Sequence, residues 1–284
     1  MLRRGPFYPA AMLLAISLLA VGVAFADNSR GSKENDEQFT NGCRSLPSYD
    51  QLKSALVAAV VTETSGLNMN IWATLVDRDG IVCAVAFSGV NRGAQWPGSR
   101  VISAQKANTA NAFSLDSASS SNNSGAVSGL ALSTANLYSA VQPGGSLYGL
   151  QASNPVDPDV AYQFPPSDYG TPNDPMVGLR IGGVNVFGGG LGAYGTGQKI
   201  LGGLGVSGDT SCADHMIAWR VRHTLGLDHL LGVGGVSGDS NRPDNIVYDI
   251  APNSNGGTGV SPGGFGHPKC INTGDQTQLP AVQH

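Results

Sequence analysis

The sequence predicts an α+β fold, with a central antiparallel sheet and helices packed on its faces. Three observations predict it. The elements read from periodicity run helix, two strands, helix, short helix, two strands, helix. The strands come in pairs around turn residues, the mark of antiparallel neighbours. The stretch Ile200 to Leu227 joins an apolar, glycine-broken run to a helix start through the tight turn Ser207-Gly208-Asp209-Thr210. A glycine-lined strand tip that feeds a helix N-terminus gathers backbone donors and a partial positive charge.

Arg3 and Arg4, the apolar run Ala10 to Ala24 and the small-x-small triplet Ala24-Phe25-Ala26 have the pattern of a secretory signal peptide cleaved after Ala26. The run is short for a membrane span. The expected organisation is a signal peptide over 1–26, a polar flexible segment over 27–46, one domain over 47–230 and a Gly/Pro-rich tail over 231–284. The chain has 16 basic and 20 acidic residues, a formal charge of −4, and loss of Arg3 and Arg4 leaves 14 against 20, or −6. This balance argues against a nucleic-acid partner, which selects a basic face. No other long apolar run occurs, so no membrane span is expected in the mature chain, which is read as periplasmic or extracellular. The four cysteines, Cys43, Cys83, Cys212 and Cys270, suggest two disulfides in an exported chain. Three connectivities are open, and the shortest loops pair Cys43 with Cys83 and Cys212 with Cys270. The clustered cysteines of a zinc site are absent.

In chain order, Ser48 to Thr64 reads as a helix capped by Ser48, with Leu52, Leu56, Ala59 and Val60 on its apolar face and Gly66 ending it. Ile71 to Val76 and Ile81 to Phe87 form a hairpin around the turn Asp77 to Gly80. That turn lacks the later glutamate of a calcium loop. Gly89 to Gly98 is a loop exposing Arg92 and Trp96. Arg100 to Leu115 is a second helix, on which Ala104, Ala107, Ala110 and Ala112 allow another element to approach closely. Ser117 to Ser128 reads as a flexible insertion, Leu132 to Val141 as a short helix, and Pro155 to Pro175 as an elaborated surface loop. Arg180 to Phe187 and Lys199 to Val206 are the second strand pair, around a glycine-rich turn. The last helix, Ser211 to Leu225, takes Asp209 or Ser211 as N-cap and has Asp214 in its first turn. Asn245 to Ile250 is expected to add an edge strand, and Cys270 to tie down the tail.

Several constellations carry chemistry on paper. Gly190, Gly192 and Gly195 match GxGxxG, but a strand follows them where a dinucleotide site needs a helix. Ser207, His215 and Asp209 contain the types of a hydrolase triad, yet Gly208 comes one residue too early for a nucleophile elbow. His215 lies one helical turn before Trp219, which makes it either an axial haem-iron candidate or a packed histidine. His223 and His229, at the helix end, read as surface residues. Arg100 and Lys106 on the second helix form either a solvated face or a partner for a ligand carboxylate such as a haem propionate.

Four ordered motifs resemble the GlcG/HbpS-like haem-binding, haem-degrading domain, which also forms the C-terminal domain of PduO-type cobalamin adenosyltransferases. They are Lys106-Ala107, Gly182-Gly183, Gly205 to Gly208, and Asp214. With the hairpin WATLVDRDGIVCAVAF, the resemblance runs from about Tyr49 to Leu227. It implies a profilin-like α-β-α sandwich that assembles into homo-oligomers and binds haem. The long insertions, Ser117 to Ser128 and Val156 to Pro175, and the cysteine-bearing tail depart from compact members. The resemblance implies haem docked at Gly182, Gly183, Gly205, Ser207, Gly208, Asp209 and Asp214, with Lys106 or Arg100 meeting propionates and His215 as the candidate iron ligand. Such a protein stores or senses haem; the alternatives are a haem-degrading enzyme and an accessory oligomer that binds none.

Overall fold

The computed structural model describes residues 42–117, 128–251, 253–255, 257 and 259–284. The signal peptide and most of the Ser117 to Ser128 insertion lie outside the described residues. Helix α1 (Tyr49–Thr62) leads into β1 (Trp72–Asp77) and β2 (Val82–Phe87), followed by α2 (Ser99–Ala112). A single turn, α3 (Pro158–Ala161), precedes β3 (Gly190–Gly195), β4 (Lys199–Ser207) and α4 (Ser211–Thr224). The strands form one antiparallel sheet in the order β2-β1-β4-β3. Helices α1 and α4 cover one face and α2 the other. This is the α-β-α sandwich the sequence implies.

Local chemistry explains most boundaries. Ser48 and Gln51 make a reciprocal capping box on α1. In the hairpin turn the Asp77 carboxylate accepts the N–H of Asp79 and Ile81, and Gly80 takes φ 79°. Central strand β1 is buried along its whole length. Ala73 and Leu75 pack toward α1 and α4, whereas Trp72 and Val76 face the α2 side. On β4, a Cβ at Gly203 would run into Ala107 O, and one at Gly205 into Ser103 O. The glycines of β4 and the alanines of α2 are therefore one device: together they let the helix backbone lie on the strand. Ala104, Ala107 and Ala110 are fully buried in that contact, while Ala112 is exposed.

The structure corrects five local expectations. Arg180 to Phe187 is not a strand: Gly182 (φ 63°) and Gly183 (φ 79°) turn the chain, leaving only isolated bridges from Arg180 and Gly182. The outer strand partner of β4 is the glycine-rich Gly190–Gly195, in place of the expected turn. Leu132 to Val141 is a series of turns ending in a 3-10 turn (Ser139–Val141). Asn245 to Ile250 makes no strand, since its polar groups serve buried side chains instead. The N-cap of α4 is Thr210, which accepts from Ala213 N.

The two disulfides are Cys43–Cys83 and Cys212–Cys270, the shortest-loop pairing. The tail is woven into the domain: Leu279 and Val282 join the α1/α4 core, and Trp219 Nε1 donates to Pro280 O at 3.0 Å. A buried Arg222–Asp244 ion pair adds a second tie. The Pro155 to Pro175 segment covers the α2 side of the sheet, burying Ala161 in the same cluster as Trp72 and Met176. Among the described residues no helix is long and apolar enough to cross a membrane.

Candidate functional site

The end of β4 and the start of α4 meet α2 at a buried polar node. Lys106 Nζ lies 2.7 Å from Asp214 Oδ2 and donates to Val206 O at 2.9 Å. Asp214 Oδ1 accepts the N–H of Asp209 at 2.9 Å. Asp209 in turn accepts from Leu67 N, Met69 N and Thr210 N, which fixes the loop that enters β1. The Lys106 ammonium also faces the Phe187 ring, 4.5 Å from its centre. Desolvation pushes Asp214 up to about 6 and lowers Lys106. Both side chains are closed off from solvent.

The structure brings Lys106, Gly205, Ser207, Gly208, Asp209 and Asp214 together, all of them buried. It does not leave a cleft between them. The space beside Gly205 holds the backbone of α2, and a Cβ on Gly208 would meet Asn70 O. Gly182 and Gly183 lie apart from the node, where Gly182 bridges to Val156 and Gly183 O accepts from Asn108.

His215 is fully enclosed on α4. Its Nε2 accepts from Ile246 N at 3.2 Å and lies 3.2 Å from Asn245 Oδ1, while Nδ1 is buried with no partner. Desolvation pushes this imidazole down to about 4. Offering Nε2 to an iron requires displacing the Asn245-Ile246 segment. Nor do Ser207, His215 and Asp209 form a triad: His215 is held by the tail and Asp209 by backbone donors. His223 pairs with Asp228 at the end of α4.

Arg100 is buried at the start of α2. Its guanidinium binds both carboxylate oxygens of Asp174, donates to Ala161 O, and stacks 3.7 Å from the centre of the Tyr169 ring. Beside it opens an apolar pocket of about 300 Å³, walled by Trp72, Pro97, Val101, Tyr162 and Tyr169. Arg92, exposed on the rim, has no ion pair among the described residues. Trp72 pairs directly with Ser207, so this pocket lies at the same end of the sheet as the closed node. A larger cavity of about 760 Å³ lies between the turn at Tyr138 to Ser146 and the tail from Ile250 to Phe265, and no charged residue lines it. Neither cavity is lined by His215.

Sequence reasoning missed Tyr162 and Tyr169, because it read their segment as surface loop. The available signal was two tyrosines in a proline- and aspartate-rich stretch that also carries Asp174, the buried partner of Arg100. The loop expectation for Arg92 and Trp96 agrees with their exposure.

A sandwich of this topology with a closed Lys–Asp node at the β4–α4 junction defines a small α+β domain carrying two large embellishments. The chain belongs to the haem-degrading HbpS-like protein family, whose sequence pattern matches residues 50–222. No curated protein matches the chain. Among solved structures it is similar to protein ORFY of Klebsiella pneumoniae, at 23% identity over 62% of this chain and 86% of that one, with a TM-score of 0.40. A PduOC:heme complex gives 22% identity, 63% and 91% coverage and a TM-score of 0.39. A double mutant of HbpS from Streptomyces reticuli gives 14% identity, 77% and 99% coverage and a TM-score of 0.34.

Proposed function

We propose that this protein is an exported haem-binding protein that stores or senses haem. The observation that carries the reading is the family match, which covers the whole sandwich from α1 into α4. Two disulfides support an oxidising compartment. The outer face of α1 leaves Val57 and Val61 exposed, which supports assembly into a homo-oligomer.

A porphyrin does not fit the closed strand-end node, where the α2 backbone fills the space beside Gly205 and Lys106, Asp209 and Asp214 are bonded to one another and to backbone. The pocket beside Arg100 suits one edge of it. Trp72, Val101, Tyr162 and Tyr169 offer apolar and aromatic surface, and Arg92 offers a free cation for a propionate. The larger tail cavity lacks that cation and lies mostly outside the family-matched residues. In this reading Lys106, Asp214 and Asp209 hold the sheet end that carries the pocket, and Arg100 positions Tyr169. Bound haem would supply its iron's redox and ligand chemistry. This chain's part is to bind and orient the macrocycle.

Hemin titrated into the mature, disulfide-intact protein is expected to give a saturable Soret shift, weakened in Tyr162→Ala. A linear, unsaturable absorbance would reject haem binding. The family's description as haem-degrading favours a second reading, in which bound haem is turned over. Loss of the Soret band with release of iron, under reductant and oxygen with peroxide scavenged, would select it. A stable oligomer that takes up no haem would select an accessory role instead.

A further inference from the structure

We propose that reduction of the Cys212–Cys270 disulfide uncovers a zinc site formed by Cys212, Cys270 and His267. This site is independent of the haem reading. The ligand atoms of the three residues all lie within 4.8 Å of one another. His267 and Cys270 are spaced H-x-x-C in the tail, and Cys212 stands in the first turn of α4. No C-x-x-C pair marks this site in the sequence.

The imidazole is already set for a metal. His267 Nδ1 lies 2.7 Å from Pro268 O, and a carbonyl only accepts, so Nδ1 carries the proton. Nε2 therefore presents its lone pair, 3.2 Å from Ser211 Oγ, which in turn lies 3.5 Å from Cys270 Sγ. A backbone carbonyl that fixes the tautomer is the usual outer support of a metal-bound histidine. The ring is held from the other side by Tyr138, 5.0 Å between ring centres, and by a bond from His267 N to Val247 O. Cys270 is partly exposed and gives a path of entry, while Cys212 and His267 are buried.

Two thiolates and one imidazole make a soft, three-ligand set that leaves one position of a tetrahedral zinc ion open. In the oxidised chain the sulfurs bond each other and the site does not exist. A dithiol breaks the S–S bond by exchange: it supplies two electrons and two protons and becomes a disulfide itself. Binding Zn²⁺ then releases the two thiol protons. Among the described residues the other disulfide has Asp77 as its one neighbouring metal-ligand type, a carboxylate with no imidazole, and its Oδ1 already accepts from Asp79 N and Ile81 N.

The test uses the mature full-length protein and Zn²⁺ alone, with a chromophoric chelator as competitor and a phosphine reductant that does not compete for metal. The reduced protein is expected to bind one Zn²⁺ and release two protons, and the oxidised protein to bind none under the same conditions. His267→Ala should weaken the reduced site at least ~100-fold, His267→Cys should restore it, and Cys43→Ser/Cys83→Ser should leave it intact. Equal zinc binding by the oxidised and reduced forms, or by reduced wild type and His267→Ala, overturns the proposal. If reduction unfolds the tail, refolding on addition of Zn²⁺ supports it, and failure to refold overturns it.

Discussion

Lys106→Met is expected to destabilise the fold by ~3–5 kcal/mol at neutral pH, because it strands the Asp214 carboxylate in a site with no solvent access. Asp214→Asn keeps the volume and an acceptor for Asp209 N and removes the charge that burial disfavours, so it is expected to cost much less. The double variant should cost less than the two single losses together, because neither charge is then left alone. Urea-unfolding midpoints of the four proteins measure this. Additive losses would mean that the two side chains do not act as a pair.

Acid is expected to loosen the protein between about pH 6.5 and about pH 4. His215 and His267 are both pushed down to about 4, His215 by full burial and His267 chiefly by desolvation. Each is neutral in the fold and charged in the unfolded chain across that window. The unfolded state binds more protons there, so stability falls as the pH falls, by ~3 kcal/mol for each imidazole. Asp214 works the other way. Its folded value is raised to about 6, so the folded state holds its proton where the unfolded chain has lost it, and acidification returns ~3 kcal/mol. Asp77, which burial also raises, acts in the same sense as Asp214; the two histidines are expected to outweigh both, for a net loss of at most ~3 kcal/mol. In His215→Gln, which keeps an acceptor for Ile246 N, the loss should shrink toward zero. An unchanged acid profile in that variant would assign the sensitivity elsewhere.

The elements set by local rules were legible in the sequence. The Ser48 capping box, the Asp77 to Gly80 turn and the alanine stripe of α2 each follow from residues close in the chain. The sequence left three disulfide connectivities open, and the observed one is the shortest-loop pairing. What the sequence hid depends on partners far apart. Gly190–Gly195 extends into a strand because β4 pairs with it and α2 backs onto it, and no local signal separates that from a glycine-rich turn. The glycines of β4 suggested space for a ligand, but that space is filled by α2, a contact between residues about 100 positions apart. The pocket owes two of its walls to Tyr162 and Tyr169. They reach it only because Asp174 ties their segment to Arg100.

The proposed haem site is the pocket beside Arg100, with the strand-end node as its structural support. Hemin titration of Arg92→Glu and His215→Gln side by side tests this most directly. The account predicts a Kd raised about tenfold or more in Arg92→Glu, where a charge-assisted contact to a propionate is lost. It predicts an unchanged Soret maximum and affinity in His215→Gln at neutral pH. A shifted Soret band in His215→Gln with wild-type affinity in Arg92→Glu would contradict it.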